Sequence, residues 1–337
     1  MKKMAKICIV VMWIALFQTG LFSQGNLGQS GANFLQIPVE PRGSALGGAM
    51  SALAQGGAAL YWNPAGAVAS SNLDMVFSYT DWLLDTRVTY AGITKTMGGV
   101  NAIGISVTSL YMDEMEITTP YASEGTGQYY DAGDLAIGLT FARQMVDFFK
   151  FGATVKYIYE YIWNESAGLV AFDIGGIYSA KHFYNFKIGM SILNISGKMK
   201  LSGDDINARI DEELQSGEDP ATNPRVERLT PEYRLPQTLY LSVAADPVKT
   251  EQTVITLISG VEVPADNEQR MTIGFEAAVM KQFFLRGGYR FNHDLMDFSA
   301  GAGFKLKLMG VNSIVDYSYS SMDVFGGIHQ FALRLTI

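Results

Sequence analysis

The chain has 337 residues, of which 48% are hydrophobic, 12% aromatic and 17% charged, with 35 glycines and a formal net charge of -8 at pH 7. Soluble domains carry about 25% charged residues and about 7% glycine, so charge is scarce here and glycine abundant. Beyond the leader no apolar run reaches the ~18 residues of a spanning helix, and the hydrophobicity excludes a disordered chain. The acidic balance argues against a nucleic-acid partner, which needs a basic face.

Residues 1–23 read as a secretory signal peptide. Lys2, Lys3 and Lys6 form the positive region, Ile7 to Phe17 the apolar region, and Leu21-Phe22-Ser23 the cleavage site. The single cysteine, Cys8, falls inside this leader. The mature chain from Gln24 therefore has no disulfide, thiolate metal site or cysteine nucleophile.

Residues 24–73 fit no strand pattern. They are rich in Gly and Ala, broken by Pro38, Pro41 and Pro64, with one short helix predicted over Gly43 to Ala54. A segment of this size has a natural place as a plug in the lumen of a wide barrel; the other reading is a tail outside it.

From Asp74 to Ile337 the apolar residues alternate with small or charged ones. Phe149, Phe151, Ala153, Val155 and Tyr157 interleave with Lys150, Gly152, Thr154, Lys156 and Ile158. This is the period of a strand with one apolar face. Fourteen strands are predicted, at 74–80, 86–96, 100–110, 133–144, 148–160, 168–179, 185–195, 237–245, 252–263, 269–280, 283–292, 297–308, 311–320 and 328–337. Tight connections, such as Met97-Gly98-Gly99, Asp246 to Thr250 and Lys281-Gln282, alternate with longer ones, such as Tyr111 to Ala132, Tyr161 to Ala167 and Ser196 to Pro236. An up-and-down sheet with all its tight turns at one end, an even strand number and long strands is the pattern of an outer-membrane barrel. Tyr79, Trp82, Tyr111, Tyr121, Tyr129, Tyr130, Tyr161, Trp163, Tyr317 and Tyr319 lie near strand ends and read as an interfacial aromatic girdle. The fold expected is all-β, a 14-stranded antiparallel transmembrane β-barrel with an N-terminal plug or hatch.

Three blocks of the plug segment carry a family resemblance. They are Gly31-Ala32-Asn33-Phe34-Leu35, Pro41-Arg42-Gly43-Ser44-Ala45-Leu46-Gly47-Gly48-Ala49 and Ala59-Leu60-Tyr61-Trp62-Asn63-Pro64-Ala65-Gly66. Together they resemble the N-terminal signature of the PorV/PorQ family, within the FadL-like barrels whose hatch also carries Asn-Pro-Ala. The resemblance implies a non-enzymatic outer-membrane component of type IX protein secretion. Its implied partners are secreted cargo signal domains or secretion and attachment proteins, together with outer-membrane lipid. The FadL side of the resemblance implies the alternative, a channel for long-chain fatty acids or other hydrophobic small molecules. Tyr61, Trp62, Asn63, Pro64, Ala65 and Gly66 are then the plug motif. The C-terminus departs from the usual assembly signal, ending Leu333-Arg334-Leu335-Thr336-Ile337 where an aromatic is typical.

A search for chemistry finds no G-x-S-x-G elbow, no H-E-x-x-H and no P-loop. The three histidines, His182, His293 and His329, are scattered, so no metal and no cofactor is expected. The Ser196 to Pro236 connection is long and charged, with Asp204, Asp205, Asp211, Glu212 and Glu213 in its acidic part. It reads as a partner-binding loop or as a solvated one. Inward faces carry Lys150, Lys156, Glu160, Arg270, Glu276, Arg286, Arg290, Lys305, Lys307, Asp316 and Arg334, expected to pair with one another or with the plug. A fatty-acid site needs an apolar pocket between plug and wall instead, to which Ile158 and Phe284 are candidates to contribute.

Overall fold

The computed structural model describes Gly28 and residues 30–69, 72–180, 182–203, 206–209, 225–227, 230–293, 296–308 and 310–337. The leader read over residues 1–23 lies outside these described residues.

Among the described residues, fourteen long strands build the body of the molecule. The first seven are β1 (Leu73–Asp81), β2 (Arg87–Met97), β3 (Asn101–Tyr111), β4 (Ala132–Val146), β5 (Phe149–Ile162), β6 (Glu165–Ala180) and β7 (Phe186–Ser196). The rest are β8 (Thr238–Lys249), β9 (Thr253–Pro264), β10 (Arg270–Val279), β11 (Phe283–Phe291), β12 (Phe298–Leu308), β13 (Val311–Ser321) and β14 (Gly327–Thr336). Each pairs antiparallel with its neighbour in sequence, and β14 returns to β1, with Tyr79 opposite Phe331. The sheet closes as a barrel, which leaves no edge for another chain to pair with.

The period of two explains both faces. In β1, Asp74, Val76, Ser78 and Thr80 are buried toward the lumen, while Phe77 and Tyr79 are exposed on the outside. Ile105, Leu139, Phe141, Val155, Leu285 and Phe331 extend this exposed apolar belt around the barrel. A belt of this kind on a closed barrel is what contact with lipid requires. Turns such as Asp147-Phe148 gather at one end, and the long 112–131 and 197–237 connections at the other. By the outer-membrane pattern the long-loop end is the outer one.

Three local expectations change. The Tyr161 to Ala167 loop is a two-residue turn, Trp163-Asn164, because β6 begins at Glu165 and pairs with Ile162. The Asp246 to Thr250 turn is strand: β8 runs to Lys249 through a bulge between Ala245 and Val248. Pro247 sits in that bulge, where its missing N–H breaks no ladder bond. The aromatic girdle is partial. Tyr79, Tyr317 and Tyr319 lie on the outward face beside Phe331 and His329. Trp82 turns inward against apolar clusters, and Tyr129-Tyr130 pair with Met115-Glu116 on the 112–131 excursion.

The segment Ser30 to Ala69 fills the lumen as a plug. It enters at the outer end, where Ser30 bridges to Arg234 and its hydroxyl donates to Asp266. It leaves at the inner end, where Thr96 N–H donates to the Asn72 carbonyl. Its helices are short: α1 (Pro41–Ala45) and α2 (Ala59–Trp62), with 3-10 turns at Asn33–Gln36, Gly56–Ala58 and Pro64–Ala69. The Glu40 carboxylate caps α1, accepting from Gly43 N at 3.1 Å and Arg42 N at 3.3 Å, and Pro41 opens it. The helix expected to reach Ala54 stops at Ala45, because Gly47 and Gly48 turn the chain at φ 68° and 88°.

Buried ion pairs fix the plug to the wall. Arg42 in α1 binds Glu276 of β10 at 2.8 Å; Arg286 of β11 reaches Glu276 at 2.7 Å and Asp316 of β13 at 2.5 Å. Arg334 binds Asp74 at 2.9 Å, and Asp74 also accepts from Gly57 N at 2.8 Å. Arg42, Glu276, Arg286, Asp316, Arg334 and Asp74 thus pair across the lumen, as burial demands of charged groups.

Candidate functional site

The plug motif is a seat. Tyr61 lies between the first turn of the plug and the wall: its hydroxyl donates to the Leu35 and Ile37 carbonyls at 3.2 and 2.9 Å. Trp62 stacks edge-on against Tyr61, with ring centroids 4.8 Å apart, and its carbonyl accepts from Ser191 of β7 at 2.9 Å. Asn63 is 0% exposed. Its amide faces the Ser51 carbonyl at 2.9 Å and the Gly176 and Met190 carbonyls of β6 and β7 at 3.2 Å each. Its Oδ1 accepts from Ala65 N at 3.1 Å. One side chain therefore ties the plug turn to two strands and to itself, as a buried amide must be tied.

The wall opposite is stripped of side chains. A Cβ on Gly175 would stand 2.1 Å from Asn63 Oδ1, one on Gly152 2.4 Å from the Pro64 backbone carbon, and one on Gly189 2.2 Å from that of Ser51. Three glycines, from β5, β6 and β7, thus make room for the motif and for the Ser51 turn that Asn63 binds. Gly66 closes the turn, its N–H donating to the Asn63 carbonyl at 2.9 Å.

The acidic residues Asp204, Asp205, Asp211, Glu212 and Glu213 lie outside the described residues. The described part of that connection holds three short ladders: Lys198-Met199 pair with Tyr233-Arg234, Ser202-Gly203 with Glu165-Ser166 on β6, and Asn207–Arg209 with Arg225–Glu227. Among the described residues no group of three His, Cys, Asp or Glu is placed to hold a metal ion.

Above the plug, at the outer end, a cavity of about 190 Å³ opens between plug and wall. Ile37, Pro38, Trp62, Trp82, Met296 and Met322 form its apolar lining. Its polar lining is Asn33, Gln36, Glu262, Arg270, Arg290 and His293, with Tyr240 between. Arg270 pairs with Glu262 at 3.1 Å, and Arg290 Nε donates to the Gly47 carbonyl at 3.1 Å. His293 accepts from Met296 N at Nδ1, 3.0 Å away. Burial, with Arg290 and Arg270 nearby, holds its pKa down at about 3, so its ring is neutral at pH 7.

Only part of this cavity was visible in the sequence. Arg270 and Arg290 were placed on inward faces. Ile158 and Phe284, the apolar candidates, do not line it: Ile158 packs with Phe34, Leu35 and Ile37, and Phe284 lies 5.2 Å under Arg286. Trp82, read as a girdle residue, does line it. It follows the last ladder pair of β1, Asp81 with Arg87, so strand alternation no longer governs where it points.

No family model matches the chain, and no curated protein matches it. Solved structures do. A FadL homologue from Pseudomonas aeruginosa superposes with TM-score 0.55 at 12% identity, over 88% of this chain and 98% of that one. The toluene transporter TodX of Pseudomonas putida gives 0.54 at 12% identity, over 93% and 98%. The toluene transporter TbuX of Ralstonia pickettii gives 0.51 at 12% identity, over 88% and 96%. At such identity the likeness is one of fold, and the chain is a plugged, fourteen-stranded barrel of the FadL-like kind.

Proposed function

We propose that the protein is an outer-membrane channel that takes small, largely apolar molecules in at its outer mouth. The observation that carries this reading is the cavity between plug and wall, with Ile37, Pro38, Trp62, Trp82, Met296 and Met322 on its apolar side. A dry cavity of about 150 Å³ suffices to bind benzene, so about 190 Å³ suits one ring-sized molecule and not a whole long acyl chain. The fold relatives named as toluene transporters support the same reading. Uptake of labelled toluene by cells making the protein tests it, against an empty vector and an Ile37→Trp variant that fills the cavity. The channel reading expects faster uptake than the vector and a return to the vector rate in the variant; uptake at the vector rate with the intact protein rejects it.

A second reading, a component of type IX secretion that binds cargo signal domains or attachment proteins, rests on the three signature blocks of the plug. Deleting the gene should then abolish surface display of proteins bearing the type IX signal domain. Normal display in the deletion strain rejects it.

A further inference from the structure

Arg290 is the feature of the outer cavity that an apolar cargo does not explain. It is 6% exposed, and it projects from the outer end of β11 into the cavity wall. Its Nε bonds to the Gly47 carbonyl, and among the described residues no carboxylate lies within 4.0 Å of its guanidinium. The other cation, Arg270, has its counter-ion in Glu262. His293 is held neutral, so two arginines face one glutamate across the described lining.

Elsewhere in the lumen the buried arginines are neutralised. Arg42, Arg286 and Arg334 each contact a carboxylate at 2.9 Å or less. Glu262 attracts Arg290 from a distance, but a buried charge with no direct partner is costly to keep. It is tolerable where a ligand supplies the missing anion, because a guanidinium receives a carboxylate through two parallel hydrogen bonds. The apolar side supplies the rest of the fit: Trp62 and Trp82 contribute aromatic surface, and Met296 and Met322 adaptable side chains.

We infer that the outer cavity binds a small monocarboxylate with a ring-sized apolar body, its carboxylate on Arg290 and its ring among Trp62, Trp82, Met296 and Met322. This rests on the channel reading and narrows it from neutral molecules to anions. The volume sets an upper bound of about one ring, and the charge sets the head group.

The test uses the mature protein in detergent, with benzoate and toluene as probes. Both share the ring and differ in the carboxylate. Binding is read by quenching of tryptophan fluorescence, since two tryptophans line the cavity, and by calorimetry. Benzoate should bind at least tenfold more tightly than toluene. Arg290→Met keeps the bulk and removes the charge, and should reverse that order while leaving the barrel heat-modifiable on a denaturing gel. A comparison on the unmodified protein alone keeps the inference open to refutation if the variant fails to assemble. Equal or tighter binding of toluene to the unmodified protein, or benzoate affinity unchanged in Arg290→Met, overturns the inference and leaves the channel reading standing. If neither probe binds the folded protein, both fail.

Discussion

Gly175 gives the sharpest structural prediction. Replacing it with Ala puts a methyl group 2.1 Å from Asn63 Oδ1 and 3.1 Å from Pro64 Cδ, far inside van der Waals contact. The backbone of β6 cannot yield, because it is paired on both sides, to β5 and β7. The plug turn must therefore retreat from the wall. Overpacking of this kind costs about 1–3 kcal/mol, and lifting the Asn63 amide away from the Gly176 and Met190 carbonyls leaves buried groups unpaired at a further ~1–3 kcal/mol. The sum is a large fraction of the stability of the plug seat but leaves the barrel ladder untouched. The next residue is the control: Gly176 faces outward, where an added methyl meets the Phe149 ring at 3.3 Å and the Lys150 carbonyl at 3.7 Å. In planar bilayers Gly175→Ala should raise conductance or its noise, while Gly176→Ala should match the unmodified protein. Both should stay heat-modifiable on a gel. A Gly175→Ala protein with unchanged conductance and unchanged protease resistance of residues 30–69 would refute this account of the plug motif.

Other predictions follow from the wall and the mouth. Leu139 is 63% exposed at the middle of β4, and an Arg at the bilayer midplane costs about 2–4 kcal/mol; Leu139→Arg should lower the yield of heat-modifiable barrel, and full assembly would contradict the lipid-facing assignment. Arg286→Met strands the Asp316 carboxylate and leaves Glu276 to Arg42 alone, a loss of about 3–5 kcal/mol for a broken buried pair. It should lower the temperature of gel-shift unfolding clearly, and no change would deny the network its role. His293 has a depressed pKa, about 3 against 6.5 for the free side chain. The buried state of this side chain binds its proton later than an exposed state, so its contribution to stability is full above pH 6.5 and falls as pH drops toward 3. Hydrogen exchange at Met296, whose N–H donates to His293, should rise between pH 7 and pH 4.5 after correction for intrinsic rates, and His293→Gln should flatten the rise.

The barrel was legible because lipid and lumen impose opposite chemistry on alternate residues, and Phe149 to Tyr157 or Phe283 to Phe291 record that directly. The boundaries slipped where a local signal conflicted with the ladder. Pro247 reads as a turn and is instead a bulge in β8, and the polar Glu165-Ser166 read as loop because strands continue past the membrane edge into the outer connection. The Asn63-Pro64-Ala65 turn was visible as a motif, but its function as a seat depends on Gly152, Gly175 and Gly189, nearly 90 to more than 120 residues away, and no local pattern couples them. The cavity was the least legible part. Its lining comes from the plug, from strand ends and from outer loops, where Trp82, Met296 and Met322 follow neither period.

The central claim is that a ring-sized molecule occupies the cavity above the plug. Anomalous diffraction from crystals of the protein soaked with bromobenzene or 4-bromobenzoate tests it most directly. The expected result is a bromine peak among Trp62, Trp82, Met296 and Met322, stronger for the benzoate. Bromine found only on the outer belt or in detergent, with the cavity empty at saturating ligand, would contradict it.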